Sequence, residues 1–442
     1  MQLGAGGPTA TRDDERGVRM RSVELRRAVV TGIGCISPNG HDREAFRRAN
    51  QEAISGVSRI EEFDTSGLES RVAGTVRGID LTRAMDPRQL RLVGRVVPLA
   101  ILAAREAMED AGLYPERLDA TTRRQIGVLL GTGGASISFV EELYGHYYRG
   151  QLERATALAV PAGTPGNIAS EISIQLGLRG PSHVISTGCT SSTDALGYAL
   201  RRIRYGESPL VLAGGADAPI APAILLGFDV MRITSRRWND QPTRASRPFS
   251  RDRDGFVLAE GAWMFVLEER DHARARGAPI YGEVLGYAST CVAWHRVAMS
   301  VDLEEPILAI RLALEDAGVR AEEIEYANLH GTGTELNDRV ETAALKRALG
   351  EQVARSIPMS STKSLIGHPQ GACGAAGVAA TLLALASGFL PPTLNCDVPD
   401  PACDLDYVPN LARPTDARLA LCNCMGFGSK NSVLVVRSGD ET

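Results

Sequence analysis

The sequence predicts an α/β protein assembled from two similar halves, and three observations carry that prediction. Arg105-Glu-Ala-Met-Glu-Asp-Ala-Gly-Leu113 and Arg311-Leu-Ala-Leu-Glu-Asp-Ala-Gly-Val319 are near copies, each reading as a helix closed by Gly112 or Gly318. Each is followed by an apolar strand and a Gly-Thr-Gly turn, over residues 126–133 in one case and 326–333 in the other. Each half then runs to a further strand, a turn bearing reactive residues and a helix: Cys189 stands in the first such turn, Lys363 and His368 in the second. A duplicated βα unit accounts for this order. It divides the chain into residues 26–285 and 286–437, with insertions lengthening the first half. Residues 1–25 are rich in Gly, Arg and Asp without periodicity, and read as a disordered or appended extension.

Composition narrows the function classes. At 442 residues, 44% hydrophobic and 23% charged, the chain is an ordinary globular one, long enough for one large two-part unit or two domains. A net charge of −5 gives no support to nucleic-acid binding, yet leaves room for the local basic patches an acidic partner requires. The eight cysteines (35, 189, 291, 373, 396, 403, 422 and 424) show no CxxC pairing or metal-ligand spacing, and the first 25 residues lack the apolar core of a signal peptide. A reducing cytoplasm is expected. The most apolar stretch, residues 378–390, is short, Ala-rich and broken by Thr381, Ser387 and Gly388, which fits a buried helix rather than a membrane span.

The chemistry-bearing residues stand at strand ends, where α/β proteins gather their reactive groups. Cys189 lies in Ser186-Thr-Gly-Cys-Thr-Ser-Ser192, after apolar Val184-Ile185 and before the helical pattern of residues 193–205. A thiol at a helix N-terminus meets free N–H groups and the positive end of the helix dipole, so it is expected to favour thiolate and act as a nucleophile. A buried cysteine that merely packs is the competing reading. His330 ends a short strand before Gly-Thr-Gly-Thr334. Lys363 and His368 follow the strand pattern at residue 357 and precede a small-residue helix. Cysteine, histidine and lysine from three separate strand ends favour a catalytic constellation over packing.

These motifs give the chain, over residues 26–437, a strong resemblance to the β-ketoacyl-acyl-carrier-protein synthases, the condensing enzymes of fatty-acid and polyketide assembly. Further matches are Arg27-Ala-Val-Val-Thr-Gly-Ile-Gly34, Ala245-Ser-Arg-Pro-Phe249, Asp254-Gly-Phe-Val-Leu-Ala-Glu-Gly261 and Gly426-Phe427-Gly428. The resemblance implies a thiolase-like five-layered fold made from the two duplicated halves. It implies that Cys189 accepts an acyl chain from a carrier-protein phosphopantetheine. His330 and His368 would stabilise the enolate left when malonyl carrier protein loses carbon dioxide. Backbone N–H groups of Cys189 and Phe427 would hold the tetrahedral intermediate.

Lys363 occupies the family's lysine position and is expected to pair with Glu341. Thr332 and Thr334 match threonines that bind the pantetheine amides, and Phe427 matches a gate between the acyl and malonyl pockets. Solvated-helix, turn and packing roles remain open for Glu341, the two threonines and Phe427. No metal or resident cofactor is implied, since phosphopantetheine arrives on the acyl carrier protein.

Two departures stand out. Val292-Ala-Trp-His295-Arg-Val297 replaces a family Asp-Ala-Tyr-His-Met-Thr, which leaves the role of His295 open, and Ser429 replaces a glycine after Gly428. Segments 186–191, 256–268 and 337–347 look closest to the catalytic ketosynthase subunit of type II polyketide synthases. A fatty-acid synthase II-type enzyme is the alternative. A thiolase, which Cys424-Met-Gly426 resembles, and a non-catalytic chain-length factor are more remote. The expected partners are an acyl carrier protein and a chain-length-factor homologue in a heterodimer, or otherwise a second copy. Neither nucleic acid nor membrane is expected.

Overall fold

A computed structural model describes residues 25–297 and 299–439. The extension expected over residues 1–25 lies, but for Leu25, outside them. The main sheet has ten strands, in spatial order Met359–Ser360, Tyr326–Asn328, Leu419–Gly426, Lys430–Ser438, Gly282–Cys291, Ala28–Ile36, Gly261–Glu269, Leu210–Asp217, Gly127–Gly131 and Ser182–Ile185. Outward from its centre, each side uses the first, fifth, fourth, second and third strand of its own half, with the same parallel and antiparallel pairings. The duplication read from the sequence is thus repeated in the topology.

It extends to single hydrogen bonds. Strand Ala28–Ile36 bulges at Thr31, and strand Gly282–Cys291 bulges at the corresponding Leu285. A bulge interrupts the ladder and re-aims the backbone. In each half the repeated aspartate takes the N–H two residues on: Asp110 accepts from Ile33 at 3.0 Å and Asp316 from Tyr287 at 2.8 Å. Gly32 and Gly286 sit at matching points where a Cβ would come within 2.0 Å of the Ala107 carbonyl oxygen and 2.5 Å of that of Ala313. Glycine there lets helix and strand touch. Helices Val96–Asp110 and Glu304–Ala317 end at Gly112 and Gly318, with φ of 71° and 65°.

Helices Ser191–Arg204 and Cys373–Ala386 pack on each other between the two half-sheets, while Val96–Asp110 and Glu304–Ala317 cover the outer faces, giving five layers. The half-sheets join where residues 28–30 pair with 282–284. The sequence-based boundary at 285/286 falls inside strand Gly282–Cys291. The central helices explain their own composition: Cys373–Ala386 is almost wholly buried and small-residued because it faces both sheets and the other helix. Among the described residues no helix is long and apolar enough to cross a membrane.

Candidate active site

Cys189 follows Gly188, whose φ of 69° suits glycine, and precedes helix Ser191–Arg204 by two residues. The turn is tied down from below. Asp194 accepts from the hydroxyls of Thr190 (3.1 Å), Tyr287 (2.8 Å), Thr187 and Ser432. The thiol is 95% removed from solvent. Burial pushes it up to about 12 and the neighbouring Cys373 adds to this, while the Phe427 N–H and the charge of Lys363 offset only part. The expected thiolate is therefore corrected to a resting thiol, because desolvation outweighs the helix N-terminus. Alkylation of Cys189 by iodoacetamide should then climb about tenfold per pH unit between pH 7 and 9. Peptide mass spectrometry can follow it, and a plateau below pH 8 would show that the thiolate is stabilised after all.

The second half supplies two imidazoles. His330 closes strand Tyr326–Asn328, and its backbone is set by helix Glu335–Leu349. Glu341 accepts the N–H groups of His330 and Gly331, both at 2.7 Å, and the Asn423 amide at 2.6 Å. One turn earlier Asp338 accepts from Phe249 (2.7 Å) and Gly333 (3.2 Å). His368 is held through its backbone by the segment 254–261: its N–H donates to the Val257 carbonyl at 2.7 Å and its carbonyl accepts from Ala259 at 3.0 Å. That motif thus positions a histidine. The two rings meet edge-to-face with centroids 5.3 Å apart. Donor atoms of Cys189, His330 and His368 lie within 4.8 Å of one another. Burial, reinforced by Lys363, holds both imidazoles well below the ordinary histidine range, hence neutral.

One expectation needs correction. Among the described residues Lys363 and Glu341 form no ion pair, because both carboxylate oxygens of Glu341 are occupied by backbone and amide donors. Lys363, buried in the short helix Lys363–Ile366, instead acts electrostatically on Cys189, His330 and His368.

Cys189, His330 and His368 open onto a mainly apolar cavity of about 380 Å³, which Thr332, Thr334 and Phe427 also line. The threonine hydroxyls are 2.9 Å apart. His295 lines the cavity too, and the two sequence departures meet there: the Ser429 hydroxyl donates to the His295 carbonyl at 3.0 Å and accepts its N–H at 3.3 Å. Ser429 has φ of 64°, so its side chain ties the Phe427 loop to the 292–297 segment in a conformation that glycine adopts more easily.

Sequence reasoning missed Asp217. Buried at the end of strand Leu210–Asp217, it accepts from Thr132, Gly133 and Gly134 of the first half and from Gly371 of the second, at 2.7 to 2.9 Å. Burial raises its carboxyl to about 6 despite those donors. Its place at the end of the Gly-Gly-Ala-Asp strand was the available signal.

Known proteins share this architecture. Residues 25–273 match the family description "Beta-ketoacyl synthase, N-terminal domain" and 281–397 match "Beta-ketoacyl synthase, C-terminal domain". The actinorhodin polyketide putative beta-ketoacyl synthase 1 of Streptomyces coelicolor is 41% identical, over 94% of this chain and 89% of that protein. The 3-oxoacyl-[acyl-carrier-protein] synthase 2 of Vibrio cholerae is 39% identical, over 93% of this chain and 99% of that protein. A solved structure described as the ishigamide ketosynthase/chain length factor superposes with a TM-score of 0.87 at 34% identity, over 94% of this chain and 100% of its own. A second, a type II polyketide synthase acyl-carrier protein in complex with its ketosynthase, gives 0.85 at 33%, with the same shares covered. The paired strand orders, the thiol between the half-sheets and these likenesses agree: the chain belongs to the β-ketoacyl synthase family.

Proposed function

We propose that this protein is an acyltransferase that performs a decarboxylative Claisen condensation. An acyl group held on Cys189 is joined to malonyl-acyl carrier protein, giving β-ketoacyl-acyl carrier protein in polyketide chain elongation. The observation that carries this reading is the convergence of one thiol and two neutral imidazoles on a mainly apolar cavity. Cys189 Sγ attacks the carrier-bound thioester, and its proton passes by a neutral imidazole to the departing pantetheine sulfur. Malonyl carrier protein then loses carbon dioxide, and the electron pair of the broken C–C bond becomes an enolate. His330 and His368 donate N–H to its oxygen. The enolate carbon attacks the acyl-cysteine, and the Cys189 sulfur departs and regains a proton.

Thr332 and Thr334 bind the pantetheine arm, Phe427 gates the acyl side, and Glu341 positions His330 through its backbone. Burial, with the positive field of Lys363 added to it, keeps both imidazoles unprotonated. The phosphopantetheine comes on the carrier protein, so no resident cofactor is needed. Eight free thiols support a cytoplasmic location.

The polyketide assignment draws on the relatives named for actinorhodin and tetracenomycin synthesis, the latter the ketoacyl synthase alpha subunit of Streptomyces glaucescens, 41% identical. It also draws on the likeness to a ketosynthase/chain length factor. The edge strand Ser182–Ile185, exposed at Ser182 and His183, offers an unpaired ladder for such a partner. The test is to produce the chain alone and with a chain-length-factor homologue, measuring solution mass and condensation of malonyl units on carrier protein. A heterodimer that elongates only with its partner is expected. A homodimer with full activity, unchanged by the partner, would favour the fatty-acid reading that the Vibrio relative represents.

A further inference from the structure

Beneath the nucleophile lie two thiols that the condensation does not use. Cys373, first residue of a central helix, and Cys424, in strand Leu419–Gly426, come from distant parts of the chain and form a buried cluster with Cys189. Their sulfurs are 3.6 Å apart. Cys424 Sγ is also 3.6 Å from His330 Nδ1, and the donor atoms of Cys373, Cys424 and His330 all lie within 4.8 Å of one another. Both thiols point at one acceptor, the Cys189 carbonyl oxygen, each at 3.2 Å.

The two 3.6 Å separations, sulfur to sulfur and sulfur to Nδ1, are those of a coordination shell. Tetrahedral zinc, with Zn–S of about 2.3 Å and Zn–N of about 2.0 Å, sets its sulfurs about 3.8 Å apart and sulfur from nitrogen about 3.5 Å apart. A disulfide would require the sulfurs to close to about 2.05 Å.

We propose that Cys373 Sγ, Cys424 Sγ and His330 Nδ1 bind one thiophilic cation of the Zn²⁺ class, with the Cys189 carbonyl oxygen or a water as fourth ligand. Binding forms two metal–thiolate bonds and one metal–imidazole bond and releases two protons, one from each thiol. Two thiolates neutralise the dication, so the nearby Lys363 faces no bare double charge. The ion sits on the face of His330 that bears Nδ1, and so touches a cavity-lining residue without requiring Cys189 Sγ. The sequence concealed the site because its ligands are separated by 43 residues (from 330 to 373) and 51 residues (from 373 to 424). Soft thiolates with imidazole select zinc and its heavier analogues over magnesium or calcium.

The test uses the reduced, metal-free full-length protein titrated with Cd²⁺, read by thiolate-to-metal charge-transfer absorption in the ultraviolet. One equivalent should saturate the band, with two protons released. Cys373→Ser and Cys424→Ser, near-isosteric changes, should each weaken binding at least about tenfold, whereas Cys189→Ala should leave the band in place. If the serine variants fail to fold, the wild-type protein decides the matter: bound Cd²⁺ should protect Cys373 and Cys424 from alkylation while Cys291, which is exposed, still reacts. Absence of a band at one equivalent, or lack of protection of either thiol, would overturn the proposal. Loss of the band in Cys189→Ala with retention in both serine variants would also overturn it, placing the ion on Cys189, His330 and His368 instead.

Discussion

Replacing Cys189 with alanine is expected to abolish acyl loading and to lower condensation by on the order of 10⁴-fold or more, the scale on which removing a covalent nucleophile acts. None of the seven other cysteines can substitute. Cys373 and Cys424 are nearest, but both are buried behind the Cys189 backbone with their thiols turned to its carbonyl oxygen. The turn itself does not depend on the thiol, because Gly188 supplies the positive φ and Asp194 gathers the surrounding hydroxyls. The alanine variant should therefore fold. Since His330 and His368 remain, it should still release carbon dioxide from malonyl carrier protein. Mapping the thioester by mass spectrometry after incubation with an acyl carrier protein separates the two steps. Acyl label persisting on the alanine variant would remove Cys189 from the role.

How far the sequence announces this site depends on whether a residue acts locally or across the fold. The duplicated Glu-Asp-Ala-Gly helices were legible because their glycines end them and their aspartates serve the same bulged strand in each half. Cys189, His330 and His368 were legible because each sits at a strand end beside small residues, a pattern that survives in one dimension. The state of the thiol was not. A helix N-terminus is visible in sequence, whereas the burial that raises the thiol to about 12 arises in the packed fold, where Cys373 and Cys424 of the opposing half cluster with it. Glu341 was placed at the right site and given the wrong partner. Its carboxylate reaches backbone N–H groups ten and eleven residues earlier, contacts in which the donor's side-chain identity leaves no trace. Asp217 and Asn423 escaped for the same reason: both act on main chain or on another buried group brought near only by the packed halves.

The same geometry sets the expectation for the histidines. His330→Ala and His368→Ala should each slow carbon dioxide release from malonyl carrier protein by on the order of 100-fold or more, about 3 kcal/mol, the usual loss for one donor aimed at developing negative charge in a dry site. The backbone bonds that fix position 330 run from Glu341 to main-chain N–H, and those at 368 run to Val257 and Ala259, so neither needs the imidazole. Each truncation thus removes a donor and leaves its loop in place. Asparagine at either position keeps an N–H and should recover part of the rate. Burial together with Lys363 lowers both imidazoles well below their ordinary range, so each enters the reaction as a neutral ring with one N–H to give. Raising the pH from about 6 to about 8, across the ordinary histidine value near 6.5, then changes the charge of neither imidazole, and the decarboxylation rate should not fall. A fall across that interval would mean that an imidazolium does the work. Wild-type rates in both alanine variants would mean that the enolate is stabilised elsewhere.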